Sequence, residues 1–302
     1  MDVIVRVPGS CGELVQGCWQ GGPFLVTCPI NRYTTVQVST SFSGCEDLGD
    51  KAKLVLQAVC RRFGRDDLPW GIRLTSELPR GKGMASSSAD IAAVAAAASL
   101  AFGKPLTAEE ILRLAVAIEP TDGVFFEGLA CLDQVQGRLL GTYRLSGRVP
   151  LTIFDTGGTV DTLAFHREAE KRVPAYGDMQ LQELRRLLTM GTPAALAEAA
   201  TRSAFLHQAV LPKPNLLEFL HDARACGALG LNVAHSGTVV GVFWPPSLPA
   251  QQIARQTKQL QAKHANLSLW GQVYLQEGGI EFQYQRKEAG NDETLCSWRQ
   301  YI

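Results

Sequence analysis

The sequence predicts an α+β protein in two parts. Strand patterns crowd the first third, strands and amphipathic helices alternate in the second half, and 302 residues suffice for two domains of about 150 each. Val3, Val5 and Val7 alternate with Ile4 and Arg6, which predicts a strand that Pro8-Gly9-Ser10 ends. Two β-rich runs follow, 24–28 and 33–39, joined by an expected turn at Pro29-Ile30-Asn31-Arg32. Ala52, Val55, Leu56, Val59, Cys60 and Phe63 recur at helical spacing opposite Lys51, Lys53, Arg61 and Arg62, which predicts an amphipathic helix. Residues 70–75 read as a strand. Residues 79–89 form a Gly/Ser loop, and small residues continue it as a helix over 89–101. Thr107 and Glu110 form a capping box that opens a helix to about Ile118. Residues 129–143 read as a hairpin turning near Gln136-Gly137.

The pattern restarts around Gly147 to Pro150, so the boundary is expected there, with domains 1–147 and 148–302. A short strand over 151–154 precedes three helices. Asp178 opens the first, Thr192-Pro193 opens the second with Pro at the first helical position, and the third runs from about Asn215 to Cys226. Strands over 231–234 and 239–243 flank His235-Ser236-Gly237. A helix over 250–262 and strands over 273–276 and 280–284 complete an α+β sandwich. No internal repeat or low-complexity linker interrupts the chain.

Lys plus Arg number 29 and Asp plus Glu number 29, so the net charge is zero. No global field draws the protein to nucleic acid or to an anionic membrane, and neither is an expected partner. The eight cysteines show no C-x-x-C pair and no dense spacing, and are expected to be reduced. The N-terminus shows no signal peptide, and the longest apolar run, 91–102, is too short to span a bilayer, so a cytoplasmic location is expected.

Residues 79–89, PRGKGMASSSA, hold most of the chemistry. A glycine-rich loop entering a helix N-terminus gathers free N–H groups and the positive end of a dipole, which suits phosphate. Two common fingerprints fail: Lys82 is followed by Gly83 rather than Ser or Thr, and the sixth position of the dinucleotide pattern is Ser86. From the loop alone, a tight turn before a core helix remains open beside phosphate binding.

The run Pro79, Arg80, Gly81, Lys82, Gly83, Met84, Ala85, Ser86, Ser87, Ser88, Ala89 resembles the P-x-x-x-G-L-G-S-S-A loop of the GHMP kinases, with Ala85 in place of the usual Gly. VPGSCGELVQG (residues 7–17) resembles their first motif and NVAHSGTVVGVF (residues 232–243) a degenerate third motif. SCGELVQG with Glu119-Pro120-Thr121-Asp122 most resembles the L-threonine kinases of cobalamin synthesis. The resemblance implies an N-terminal ribosomal protein S5 domain 2-like half and a C-terminal ferredoxin-like α/β sandwich. It implies ATP and Mg²⁺ as cofactors and L-threonine as small-molecule substrate, phosphorylated to L-threonine O-3-phosphate. Another small-molecule kinase of this family, such as homoserine kinase, or a non-catalytic nucleotide sensor are the alternatives.

The same resemblance implies roles. The 79–89 loop would cradle the triphosphate, and Ser86 and Glu119 would hold the metal. Asp122 would be the base or the hydroxyl-orienting group, with Asp133 as runner-up, and some members of the family have no base and rely on positioning. Lys82 is placed equally as a phosphate partner or a solvated residue. Ser10, Glu13, His235 and Ser236 would line the substrate site, Glu13 either against the ammonium or in a structural hydrogen bond to nearby backbone, and His235 either as a substrate ligand or as a structural histidine. Arg6 and Arg32 are candidates for the substrate carboxylate. His166, His207, His221 and His264 read as ordinary surface or packing residues.

Overall fold

The computed structural model describes residues 2–19, 21–160, 176–286, 294–295 and 297–301. Its first feature is a long antiparallel hairpin of β1 (Asp2–Trp19) and β2 (Gly22–Ser39). Both strands are longer than the sequence pattern suggests. Pro8-Gly9-Ser10 does not end β1, and residues 29–32 are not a turn between strands. Instead the ladder shifts register between Pro8 and Gly9, again between Ser10 and Glu13, and again between Glu13 and Val15. Pro and Gly here mark bulges, which kink a strand without ending it. The kink carries residues 9–13 beneath the Gly/Ser loop, where Ser10 N–H donates to the Met84 carbonyl and Gly12 N–H to that of Gly83.

The remaining elements follow in chain order: β3 (Cys45–Glu46), α1 (Asp50–Arg62), β4 (Gly71–Ser76), α2 (Ser86–Ala101), α3 (Ala108–Val116), β5 (Leu129–Asp133), β6 (Arg138–Tyr143) and β7 (Val149–Asp155). Then come α4 (Asp178–Met190), α5 (Pro193–His207), α6 (Leu216–Ala225), β8 (Gly230–Val233), β9 (Val239–Phe243), α7 (Ala250–Lys263), β10 (Ser268–Leu275), β11 (Glu281–Arg286), β12 (Thr294–Leu295) and β13 (Arg299–Gln300). The capping box of Thr107 and Glu110 forms as expected, and so does the 129–143 hairpin. Helix α2 starts three residues earlier than its alanine pattern suggests, so all three serines lie in its first turn.

The main sheet runs β12-β11-β1-β8-β9-β7-β10-β2-β4-β3. Because β1 also pairs with β2, the path β1-β8-β9-β7-β10-β2 closes on itself. Two of its links are single residue pairs, Glu13 with Val233 and Leu275 with Ile30. Helix α2 is buried on every side, from Ala89 to Leu100, within a core that it shares with α1, α3 and the β1, β2 and β4 strands. A helix apolar all round belongs in an interior. Two further cores lie beneath α4 and α5 and beneath α6 and α7. The expected boundary at 147/148 falls in the connection from β6 to β7. The chain end crosses it: β11 pairs with β1, and Ile280 and Tyr301 join the first core. Cys11, Cys18, Cys28, Cys45, Cys60, Cys131 and Cys226 are free thiols, and Cys296 lies outside the described residues, as does His166. No helix among the described residues is long and apolar enough to cross a membrane.

Candidate active site

A cleft of about 400 Å³ opens where the Gly/Ser loop, the first turn of α1, the 119–122 segment, the kink of β1 and the 235–236 turn meet. Its loop wall curls because Gly81, Gly83 and Ala85 all adopt left-handed backbone, with φ of 71°, 79° and 54°. Gly83 has no room for a side chain: a Cβ there would stand 2.4 Å from the Cβ of Ala234. On the facing turn, a Cβ on Gly237 would stand 2.3 Å from the Lys82 carbonyl oxygen. These two glycines let the two turns touch. Ala85 occupies a conformation that costs a residue with a Cβ about 1 kcal/mol. No side chain caps α2, whose first amides, at Ser86, Ser87 and Ser88, belong to residues on the cleft wall. Such a helix start favours an anion.

The opposite wall is acidic. Glu119 is 4% exposed, and its two carboxylate oxygens take hydrogen bonds from Ser87 Oγ and Lys51 Nζ. The neighbouring Ser88 Oγ accepts the Asp122 N–H at 2.9 Å. Two adjacent serines of α2 thus tie down both acids of the E-P-T-D segment. Asp122 bonds in turn to Glu13, which the β1 kink delivers from the far side. Burial, then the charge of Glu119, pushes the Asp122 carboxyl up to about 7. Burial, then the charge of Asp122, pushes Glu13 well above the usual carboxylate range. Two buried carboxyls in contact cannot both ionise without large cost, so the pair retains a proton at neutral pH. Glu13 Oε2 and Asp122 Oδ1 are buried and take no hydrogen bond from any N–H or hydroxyl among the described residues.

Most of the expected residues meet on this cleft: Glu13, Arg80, Gly81, Gly83, Met84, Ala85, Ser86, Ser87, Ser88, Glu119, Asp122, His235 and Ser236. Others lie off its wall. Ala89 is packed in the first core. Pro79, the first residue of the loop, is not on the cleft wall. Lys82 turns away to Asp155 and to the Gly158 carbonyl, each at 2.6 Å. Ser10 holds Met84 through its amide. Arg6 pairs with Glu281 and stacks on Tyr33 and Trp298, while Arg32 approaches Glu77, so neither reaches the cleft. Asp133 accepts the amides of Val135 and Gln136 and the Arg138 guanidinium, a turn-holding role remote from the loop. Of the expected metal pair, Glu119 is bonded to Ser87 rather than to Ser86, though Ser86 shares the wall. Lys51 was missed because it reads as one more charge on the polar face of α1.

His235 and His207 form a buried pair behind the turn, with His207 Nε2 against the His235 carbonyl at 2.9 Å and His235 Nδ1 against Gln16 Oε1 at 2.6 Å. Burial lowers His207 to about 4, so it is neutral. A larger cavity of about 600 Å³ between the β5–β6 hairpin and α4 has walls of Trp19, Phe24, Leu181 and Leu184. It has neither the amide-rich loop nor the paired acids that make the smaller cleft the candidate site.

Residues 50–128, which supply the loop, α2 and both acids of the E-P-T-D segment, match the family model described as the GHMP kinases N terminal domain. The chain is similar to an L-threonine kinase of Citrobacter freundii, 33% identical over 252 residues, covering 80% of this chain and 85% of that one. It is similar to an L-threonine kinase of Salmonella typhimurium, 34% identical over 250 residues, covering 80% and 82%. In fold it is similar to a putative homoserine kinase from Listeria monocytogenes, with a TM-score of 0.62 at 16% identity over 93% of this chain and 98% of that one. An uncapped helix start facing a buried carboxylate cluster, within a chain so matched along most of its length, places this α+β protein in the GHMP kinase family of ATP-using kinases.

Proposed function

We propose that this protein transfers the terminal phosphoryl group of ATP to the side-chain hydroxyl of L-threonine, giving L-threonine O-3-phosphate for the aminopropanol arm of cobalamin. The observation that carries the reading is the convergence of the α2 amides with Glu119, Asp122 and Glu13 in one cleft. Phosphoryl transfer asks a protein for positioned phosphates, spread charge and a place for the hydroxyl proton. Backbone amides from Gly83 to Ser88 hold the phosphates. Glu119 and Ser87 offer adjoining hard oxygen donors, with Ser86 on the same turn, which fits Mg²⁺, a cation that takes one or two protein oxygens beside phosphate and water. Bound there, the ion spreads the phosphate charge; without it, the Lys51 ammonium balances Glu119.

Asp122 in its ionised form takes the threonine hydroxyl proton as the oxygen–phosphorus bond forms and the bond to the leaving ADP oxygen breaks. Glu13, His235 and Ser236 line the acceptor end, Glu13 facing the ammonium. The proposed division is 1–147 for the nucleotide half and 148–302 for the half that supplies the 235–237 turn. The test is ADP release across a panel of small alcohols with Mg-ATP. Threonine-dependent release is expected. Faster turnover of homoserine or a sugar would replace the substrate, and nucleotide binding without turnover of any alcohol would replace the kinase with a sensor.

A further inference from the structure

Lys213 lies between α5 and α6, outside every motif and off the cleft wall. Its ammonium is nonetheless buried, the residue being 5% exposed. Gln208 pins its backbone on both sides, accepting the Lys213 amide through Oε1 and donating from Nε2 to the Lys213 carbonyl at 3.2 Å. Nζ donates to the Gly237 carbonyl at 2.6 Å. No carboxylate pairs with it among the described residues: Asp155, the acid whose charge reaches it, is engaged by Lys82, and His207 nearby is neutral. A buried cation without an ion pair is costly, so its position calls for a reason.

The Gly237–Thr238 peptide supplies one. Its carbonyl accepts from Lys213, and its N–H donates to the Lys82 carbonyl at 3.0 Å, joined there by the Val239 N–H at 3.3 Å. In the trans peptide that follows Lys82, the carbonyl and the Gly83 N–H point in opposite directions within one plane. Fixing the Lys82 carbonyl therefore fixes the direction of the Gly83 amide, on a residue of the cleft wall. The Gly83–Gly237 contact leaves no slack between the two turns.

We infer that Lys213 is a positioning residue for the nucleotide: through the Gly237–Thr238 peptide its ammonium aims the Gly83 amide at the bound phosphates. This rests on the ATP reading above. Burial lowers Lys213 to about 8, against the opposing charge of Asp155. Above that pH the donor becomes a neutral amine, whose hydrogen bond is roughly half as strong.

The test is ATP affinity by calorimetry, without threonine, from about pH 7 to about pH 9. The wild type and Lys213→Met are compared, with thermal melts to confirm folding. The wild-type Kd is expected to rise about tenfold across this range. Lys213→Met, which keeps the side-chain volume, is expected to start about tenfold weaker and stay flat, with the KM for threonine unchanged. A folded Lys213→Met with wild-type affinity and wild-type pH slope overturns the inference. If that variant does not fold, Lys213→Arg, which stays charged to about pH 9, replaces it: a flat Kd where the wild type rises supports the inference, and a slope equal to the wild type's overturns it. A wild type that binds no ATP at pH 7 removes the kinase reading itself, which distinguishes the two failures.

Discussion

The loop wall of the cleft is made of backbone, and the acid wall of side chains from two distant segments, the kink of β1 and the 119–122 segment. Gly81, Gly83 and Ala85 shape the first by left-handed turns, and what they present is amide N–H. Glu13, Glu119 and Asp122 make the second, and what they present is titratable charge in a buried place. Backbone amides add nothing to the charge count, so 29 basic and 29 acidic residues are compatible with the proposed triphosphate site. The acid wall instead sets protonation, and the two are stitched together by Ser87 and Ser88.

That contrast can be broken from either side. Asp122→Asn should lower kcat by about 10²–10⁴ while leaving ATP affinity near wild type; near-normal turnover would remove its role as base. With the native Asp122 at about 7, kcat should climb as pH rises through 7, because the ionised form accepts the proton. The stability sign is opposite. The folded protein holds this proton more tightly than an ordinary Asp at 3.8, so unfolding free energy should fall as pH rises from about 4 to 7, measurable by denaturant titration.

At the stitch, Ser87→Ala should cost about 10²-fold in kcat and weaken Mg²⁺ dependence, and Ser86→Ala much less; equal losses would return the metal pair to Ser86. On the loop wall, Gly237→Ala sets a Cβ 2.4 Å from the Gly83 Cα, so the turns must part. ATP affinity should fall about tenfold. The smallest effect is Ala85→Gly, expected to gain about 1 kcal/mol in a thermal melt by relieving the left-handed alanine.

The first site wall was legible because its signal is local. PRGKGMASSSA states in eleven consecutive residues that the chain turns tightly and then enters a helix, and the capping box and hairpin were read for the same reason. The limits of β1 and β2 were misread because Pro and Gly have the same local signature in a turn as in a bulge, and only pairing with β8 and with the Gly/Ser loop distinguishes them. Asp122 was found through its segment. Its contact with Glu13, more than a hundred residues away, left no trace in either neighbourhood.

By itself the sequence determined the family, the glycine-rich loop and the helices that flank it, since these depend on residue type at fixed short spacing. Only the tertiary structure decided that Ser87 rather than Ser86 meets Glu119, that Lys51 balances it, that Arg6 and Arg32 serve elsewhere, and that Lys213 stands behind the loop. Each of these is a side-chain contact across sheet or core. Its existence depends on how bulges and crossings bring separate segments within a few ångströms, which no local pattern encodes.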